Sequence, residues 1–175
     1  MNLELCNDPI SEGPIHFYEV RCYWMSNFSS FAVLYKSVLF PTSEHAYHSE
    51  KFVRGSAPWQ CCTLATSAHE SMLAARRATQ FIFPDWEHRK RAVMKEIVRE
   101  KLHQHPYIQK KLRETGDREL IEVSPVDAFW GWGPDRNGRN ELGKIWMELR
   151  AETYPANDKL SHSAGDRDVD SRKNV

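Results

Sequence analysis

Glu44, His48 and Lys51 stand at i, i+4 and i+7, so a helix through them would carry a carboxyl, an imidazole and an amine on one face. Such a face admits two readings. It is a solvated ion pair on the outside of the protein, or it lines a cleft. In a cleft, Glu44 would hold sugar hydroxyls or a water, and Lys51 would be a nucleophile or a phosphate contact. Spacing alone leaves both open. The string Glu44-His45-Ala46-Tyr47-His48 is not the zinc-protease pattern, because its Glu precedes the first His. His45 and His48 are three apart with no third ligand indicated, so no metal is expected.

A second cluster runs Ser124-Pro125-Val126-Asp127-Ala128-Phe129-Trp130-Gly131-Trp132-Gly133. Here a strand leads to an acid placed to activate water. Glycines then let backbone N–H groups approach a ligand, and indoles can stack on a base. The helix that follows Asn140 offers its N-terminus to a phosphate. The competing reading is a tight turn with packed tryptophans. The glycines match neither the Walker pattern nor GxGxxG. A third feature is the stretch 76–101, with Lys/Arg at 76, 77, 89, 90, 91, 95, 99 and 101 against acids at 85, 87, 96 and 100. It reads as a solvated helix face, or as a contact for a phosphate-bearing substrate.

The elements that must position these groups follow from pattern. Ile15–Arg21 alternates apolar and polar residues, as a strand does. Residues 25–30 form a turn, and Phe31–Phe40 gives two short strands about a turn at Tyr35-Lys36-Ser37. Thr42 or Ser43 caps a helix with Glu44 in its first turn, running to about Arg54 before Gly55. Helices follow at 58–66 and 68–80. The longest starts at Pro84-Asp85-Trp86 and reaches about His103, with Trp86, Val93, Met94, Ile97, Val98 and Leu102 on one face. A short helix spans 106–114, a strand 119–123, and Asn140 caps a last helix to about Thr153. Few strands and about six helices predict an α+β fold, a single mostly helical domain with a small antiparallel β-sheet. The domain is expected over 15–154, after a flexible leader at 1–14 and before a disordered polar tail at 155–175.

The chain has 175 residues, enough for one core, and its 24 basic and 24 acidic residues cancel. It therefore lacks the basic field that holds long nucleic acid by its phosphates. Cys6, Cys22, Cys61 and Cys62 show no zinc spacing and read as reduced thiols. No signal peptide or membrane span is expected, and a cytoplasmic location is.

These residues resemble the NADAR family, also called YbiA-like. The matching series is Ser26-Asn27-Phe28-Ser29, then Thr42-Ser43-Glu44-His45-Ala46-Tyr47-His48-Ser49-Glu50-Lys51-Phe52, then Asp85-Trp86 with Lys90 and Val93-Met94. It continues through Thr115-Gly116, Leu120-Ile121-Glu122, Asp127-Ala128-Phe129-Trp130-Gly131 and Gly138-Arg139-Asn140-Glu141-Leu142-Gly143, to Met147-Glu148-Leu149-Arg150. Each block is weak alone; the ordered series over about 16–151 is specific. Two residues depart from the pattern: His48 stands where many relatives have Gln, and Trp132 extends the usual Trp-Gly-x-Gly.

The resemblance implies cleavage of an N-glycosidic bond between ribose and a base-like group. It brings two substrate classes. One is ribosylamino-pyrimidine phosphate intermediates of riboflavin biosynthesis; the other is ADP-ribose on a guanine amino group. On this reading Glu44 and Asp127 stabilise the sugar cation and deliver water, and Lys51 is a candidate for a Schiff base with C1. Trp130 and Trp86 stack on the base. Asn27, Phe28, His48, Gly131 and Asn140 complete the substrate contacts. No cofactor is expected. The partner is a small nucleotide-like substrate or ADP-ribosylated guanine in nucleic acid, with no membrane. The alternative is a non-catalytic module that binds ADP-ribose or an NAD-type nucleotide in the same pocket.

Overall fold

The computed structural model describes residues 13–155. The expected leader (1–14) and tail (155–175) fall almost wholly outside them. The element order is β1 (Ile15–Phe17), β2 (Val33–Tyr35), β3 (Val38–Phe40), α1 (Ser43–Ser49), α2 (Ala57–Thr63), α3 (Ala68–Arg77), α4 (Trp86–Gln104), α5 (Pro106–Glu114), β4 (Leu120–Glu122) and α6 (Glu141–Thr153). Short 3-10 turns sit at Tyr23–Met25 and Thr79–Phe81.

The organising element is α4. Its expected apolar face, Trp86, Val93, Met94, Ile97, Val98 and Leu102, is buried at every position. Around it pack Ile15 and Phe17 of β1, Val33 and Tyr35 of β2, Ile108 and Leu112 of α5, and Leu142, Ile145, Trp146 and Leu149 of α6. Trp146, fully buried, donates its indole N–H to the Met25 carbonyl at 3.0 Å. A smaller core of Phe52, Cys62 and Ala75 joins the turn after α1 to α2 and α3.

The strands differ from expectation in pairing. β2 and β3 form the antiparallel hairpin, with Lys36 and Ser37 both at positive φ (47° and 63°) as a two-residue loop requires. β1 instead pairs with β4 in parallel, Ile15 opposite Leu120. The expected strand from Ile15 to Arg21 stops at Phe17, because the Tyr18 N–H turns back to the Arg21 carbonyl at 2.9 Å. Helix α1 ends at Ser49, not near Arg54: the Phe52 N–H bonds to the Ser49 carbonyl, and the Lys51 carbonyl accepts from Phe83 N–H. Cys22 is disulfide-bonded, so the reading of all four cysteines as thiols fails there, while Cys61 and Cys62 are free. No described helix is long and apolar enough to cross a membrane.

The basic stretch is a solvated face as expected at Arg76 and Arg77, and four of its eight cations, at 91, 95, 99 and 101, have neither expected role. Arg91 bonds to Glu141 and Glu148, Lys95 to Glu148 and Glu152, and Arg99 to Glu152, lacing α4 to α6. Each half-exposed pair is worth about 0.2–1 kcal/mol, and shared partners make a network of them.

Lys101 does something else. It is fully buried and donates to the Ser26 carbonyl at 2.9 Å and to Ser29 Oγ at 2.7 Å, tying down the loop that carries Asn27. Burial lowers its amine to about 7. Between that value and the ordinary lysine range, the unfolded chain holds a proton that the folded chain does not. Stability contributed through this group therefore rises with pH across the window, and is lost progressively as pH falls from the ordinary lysine range to about 7. Melting temperatures between pH 7 and about 10 should climb more steeply in the wild type than in Lys101→Met; equal slopes would refute the assignment.

Candidate active site

The first wall of the site is α1. Thr42 caps it by accepting the His45 N–H through Oγ1, which decides between the two expected caps. Every residue from Ser43 to Ser49 is buried. Glu44 thus enters the interior at a helix N-terminus, where the dipole favours an anion. Its backbone N–H donates to the Asn27 carbonyl at 3.1 Å, and its Oε1 meets His48 Nε2 at 2.8 Å. His45 serves the fold instead, since its ring nitrogens meet Thr42 Oγ1 and the Ala65 carbonyl.

Lys51 lies past the end of α1 rather than on its third turn, yet the turn returns it to the same place. Its Nζ is 5.0 Å from the Tyr47 ring centroid and 5.8 Å from that of Trp86. Burial lowers the amine below the ordinary lysine range, and Glu44 opposes that shift most strongly. Desolvation of an amine favours its neutral, nucleophilic form.

The second wall is aromatic. Tyr47 sits between Trp86 and Trp130, with centroid distances of 5.2 and 5.5 Å. Phe129 meets Trp130 edge-on at 4.8 Å, with the Lys90 ammonium 3.8 Å and the Arg139 guanidinium 4.7 Å from its ring centre. These cations border the loop that carries Trp130.

That loop is built by hydrogen bonds. Asp127 Oδ1 accepts both the Phe129 and Trp130 N–H groups at 2.8 Å, an Asx-type turn that sets the Trp130 backbone. Residues 138–142 then run back along 128–132, Arg139 N–H to Ala128, Asn140 N–H to Gly131 and Leu142 N–H to Trp130. Gly131 is required for close packing: a Cβ there would lie 2.7 Å from the Glu122 carbonyl. The glycines therefore serve close backbone approach within the loop.

Asn140 departs from expectation. Its side chain does not cap α6. At φ 51° it turns back, Oδ1 accepting the Glu122 N–H and Nδ2 donating to the Leu120 carbonyl, both at 2.9 Å. Its amide is a brace between α6 and β4. Phe28 is also placed locally, its carbonyl accepting from the Tyr23 hydroxyl and its N–H donating to Ser26 Oγ. The structure thus gathers Glu44, His48, Lys51, Trp86 and Trp130, with Asn27 behind Glu44. It gives Asp127, Gly131 and Asn140 visible work in holding the loop.

One acid escaped the sequence reading. Glu122 ends β4, and its carboxyl is pushed up to about 8 by burial, then by the charges of Asp127, Glu44 and Glu19. The available signal was strand period: Glu122 falls two residues after the buried Leu120, on the same side of the strand.

The NADAR domain model matches residues 16–153, and the chain belongs to that family. It is 38 % identical to a riboflavin biosynthesis protein of Vibrio vulnificus over 87 % of this chain, spanning 42 % of that protein's length. It is 35 % identical to an N-glycosidase of Nostoc punctiforme over 79 % of this chain and 91 % of the relative. The solved structure of the Escherichia coli protein YbiA superposes with a TM-score of 0.75 at 29 % identity, covering 90 % of this chain and 94 % of that one.

The two roles of Asp127, turn-former and charge, are separable. Asp127→Ala should destabilise the fold by about 1 kcal/mol, as loss of a capping acceptor does. Asp127→Asn keeps the acceptor and should melt close to wild type. Equal melting temperatures for wild type and Asp127→Ala would remove the turn-forming role.

Proposed function

We propose that this protein is a hydrolase acting on N-glycosyl compounds, cleaving the bond between ribose C1 and an exocyclic amine of a base-like group. The observation that carries the reading is the placement of Lys51: a desolvated amine against Tyr47 and Trp86, within the electrostatic reach of the buried acid Glu44. Relatives named as N-glycosidases, from Nostoc punctiforme and Escherichia coli, support the reaction class.

Breaking a ribosyl C–N bond builds positive charge on C1 and the ring oxygen. Glu44 stabilises that charge and takes the proton of the attacking water. Lys51 is placed to take C1 as a Schiff base once the aminal opens, because its lowered pKa leaves more of the amine unprotonated. Trp130, the less buried of the two indoles, is the ring offered to a flat base, and Tyr47 holds it against Trp86. Lys90 and Arg139, at the rim, suit a phosphate on the sugar.

Of the two substrate classes, ribosylamino-pyrimidine phosphates are favoured by the names of the Vibrio vulnificus and Zea mays relatives, both riboflavin biosynthesis proteins. ADP-ribose on guanine presents the same exocyclic C–N bond to the same groups.

Glu44→Gln preserves the side-chain volume and should lower kcat by about 10²–10⁴-fold, the usual contribution of a positioned acid or base. Near-normal turnover in that variant would remove Glu44 from the chemistry. Lys51 is checked by borohydride trapping and mass spectrometry. A reduced adduct on Lys51 is expected; no adduct, with full activity in Lys51→Ala, would leave direct attack by water.

A further inference from the structure

Glu122 plays no part in the chemistry above, yet its side chain is left unsatisfied. Its backbone is fixed from two sides, the N–H to Asn140 Oδ1 and the carbonyl to the Trp132 N–H, both at 2.9 Å. Its carboxyl Oε2 is buried without a hydrogen-bond partner. Two more buried polar atoms without partners belong to residues that touch Glu44: Asn27 Oδ1 and His48 Nδ1. Buried polar groups are nearly always paired, so these three atoms, two of them on residues bonded to Glu44 and the third on an acid that feels its charge, suit a polar ligand that completes them. The charged groups that act on the Glu122 carboxyl are all acids: Glu44 from α1, Asp127 from the Trp130 loop and Glu19 from the bend after β1.

We propose that Glu122 is a further catalytic residue of this site, the acid whose carboxyl proton goes to the departing nitrogen. The inference rests on the N-glycosidase reading. Its chemical need is plain: an exocyclic amine is a very poor leaving group as an anion, in either substrate class. The C1–N bond breaks with its electron pair on nitrogen, and nitrogen takes the Glu122 proton. The water oxygen bonds to C1, and its proton goes to Glu44. Transfer of that proton from Glu44 to the Glu122 carboxylate restores both groups. If Lys51 takes C1 first, its amine proton goes to Glu44 and water later releases the imine, with the same proton leaving Glu122.

An acid for this purpose must hold its proton at neutral pH. Burial and three neighbouring acids raise the Glu122 carboxyl to about 8, so it does. His48 is bonded to Glu44 and is thereby the less suited donor.

The experiment compares two substrates on wild type and Glu122→Gln. One is a ribosylamino-pyrimidine phosphate, whose amine needs a proton. The other is the same sugar phosphate carrying p-nitrophenolate, which departs without one. Glu122→Gln should lose about 10²–10⁴-fold in kcat on the amine, and far less on the nitrophenolate. The wild-type alkaline limb on the amine, a fall as pH rises through about 8, should vanish in the variant. Equal rates and equal pH profiles on the amine would overturn the role of Glu122 and leave the N-glycosidase reading intact. A wild type that cleaves neither compound would sink the reading itself. Should Glu122→Gln fail to fold, the wild-type profile decides alone: an alkaline limb near pH 8 supports the proposal, and a profile flat well above that pH refutes it.

Discussion

Burying Glu44 is the constraint on which the rest of the site depends. An acid taken out of water costs several kcal/mol unless polar partners replace the solvent. The chain meets that cost with local devices. The acid sits in the first turn of a capped helix, one turn before a histidine that bonds to it, and near a lysine returned by the following turn. The Asn27 carbonyl holds its backbone, and the buried Lys101 holds the loop that supplies that carbonyl. The path from Lys101 on α4 to Glu44 on α1 is thus a chain of hydrogen bonds through one loop.

The second wall depends on a different brace. Trp130 stands where it does because Asp127 forms the turn before it, and because the segment 138–142 is hydrogen-bonded along the loop. Asn140 then fixes this double-backed loop to β4, and β4 is held by β1. Parallel pairing of strands so far apart in sequence places Glu122 beneath the loop. The glycines, which in isolation suggest a ligand cradle, are needed where backbones meet at closer than normal contact.

Helices are legible in the sequence because their signals are local. Apolar periodicity locates the buried face of α4, and Thr42 caps α1 as its residue type suggests. What is not legible depends on distant partners. The cations at 91, 95 and 99 look like a solvent face until α6 brings three acids from about 50 residues away. Asn140 looks like a cap until its positive φ turns the amide to β4. Helical spacing singles out Lys51, although α1 ends at Ser49 and the residue does not have that spacing. It points to the right region because the turn after α1 is anchored by Phe83 and by the burial of Phe52. Glu122 gives only a weak signal, its place two residues after Leu120, because a strand of three residues shows too little alternation to mark an acid on its inner side.

What separates an enzyme from a binding module here is whether the groups around Glu44 cleave a ribosyl C–N bond or merely hold a nucleotide. Chromatography decides it, on the wild-type protein incubated separately with a ribosylamino-pyrimidine phosphate and with ADP-ribosylated guanosine. Release of the free amine and the free sugar phosphate, or of guanosine and ADP-ribose, is expected from at least one of them. A tight complex with both compounds left intact would contradict the glycosidase reading and make the protein a binding module.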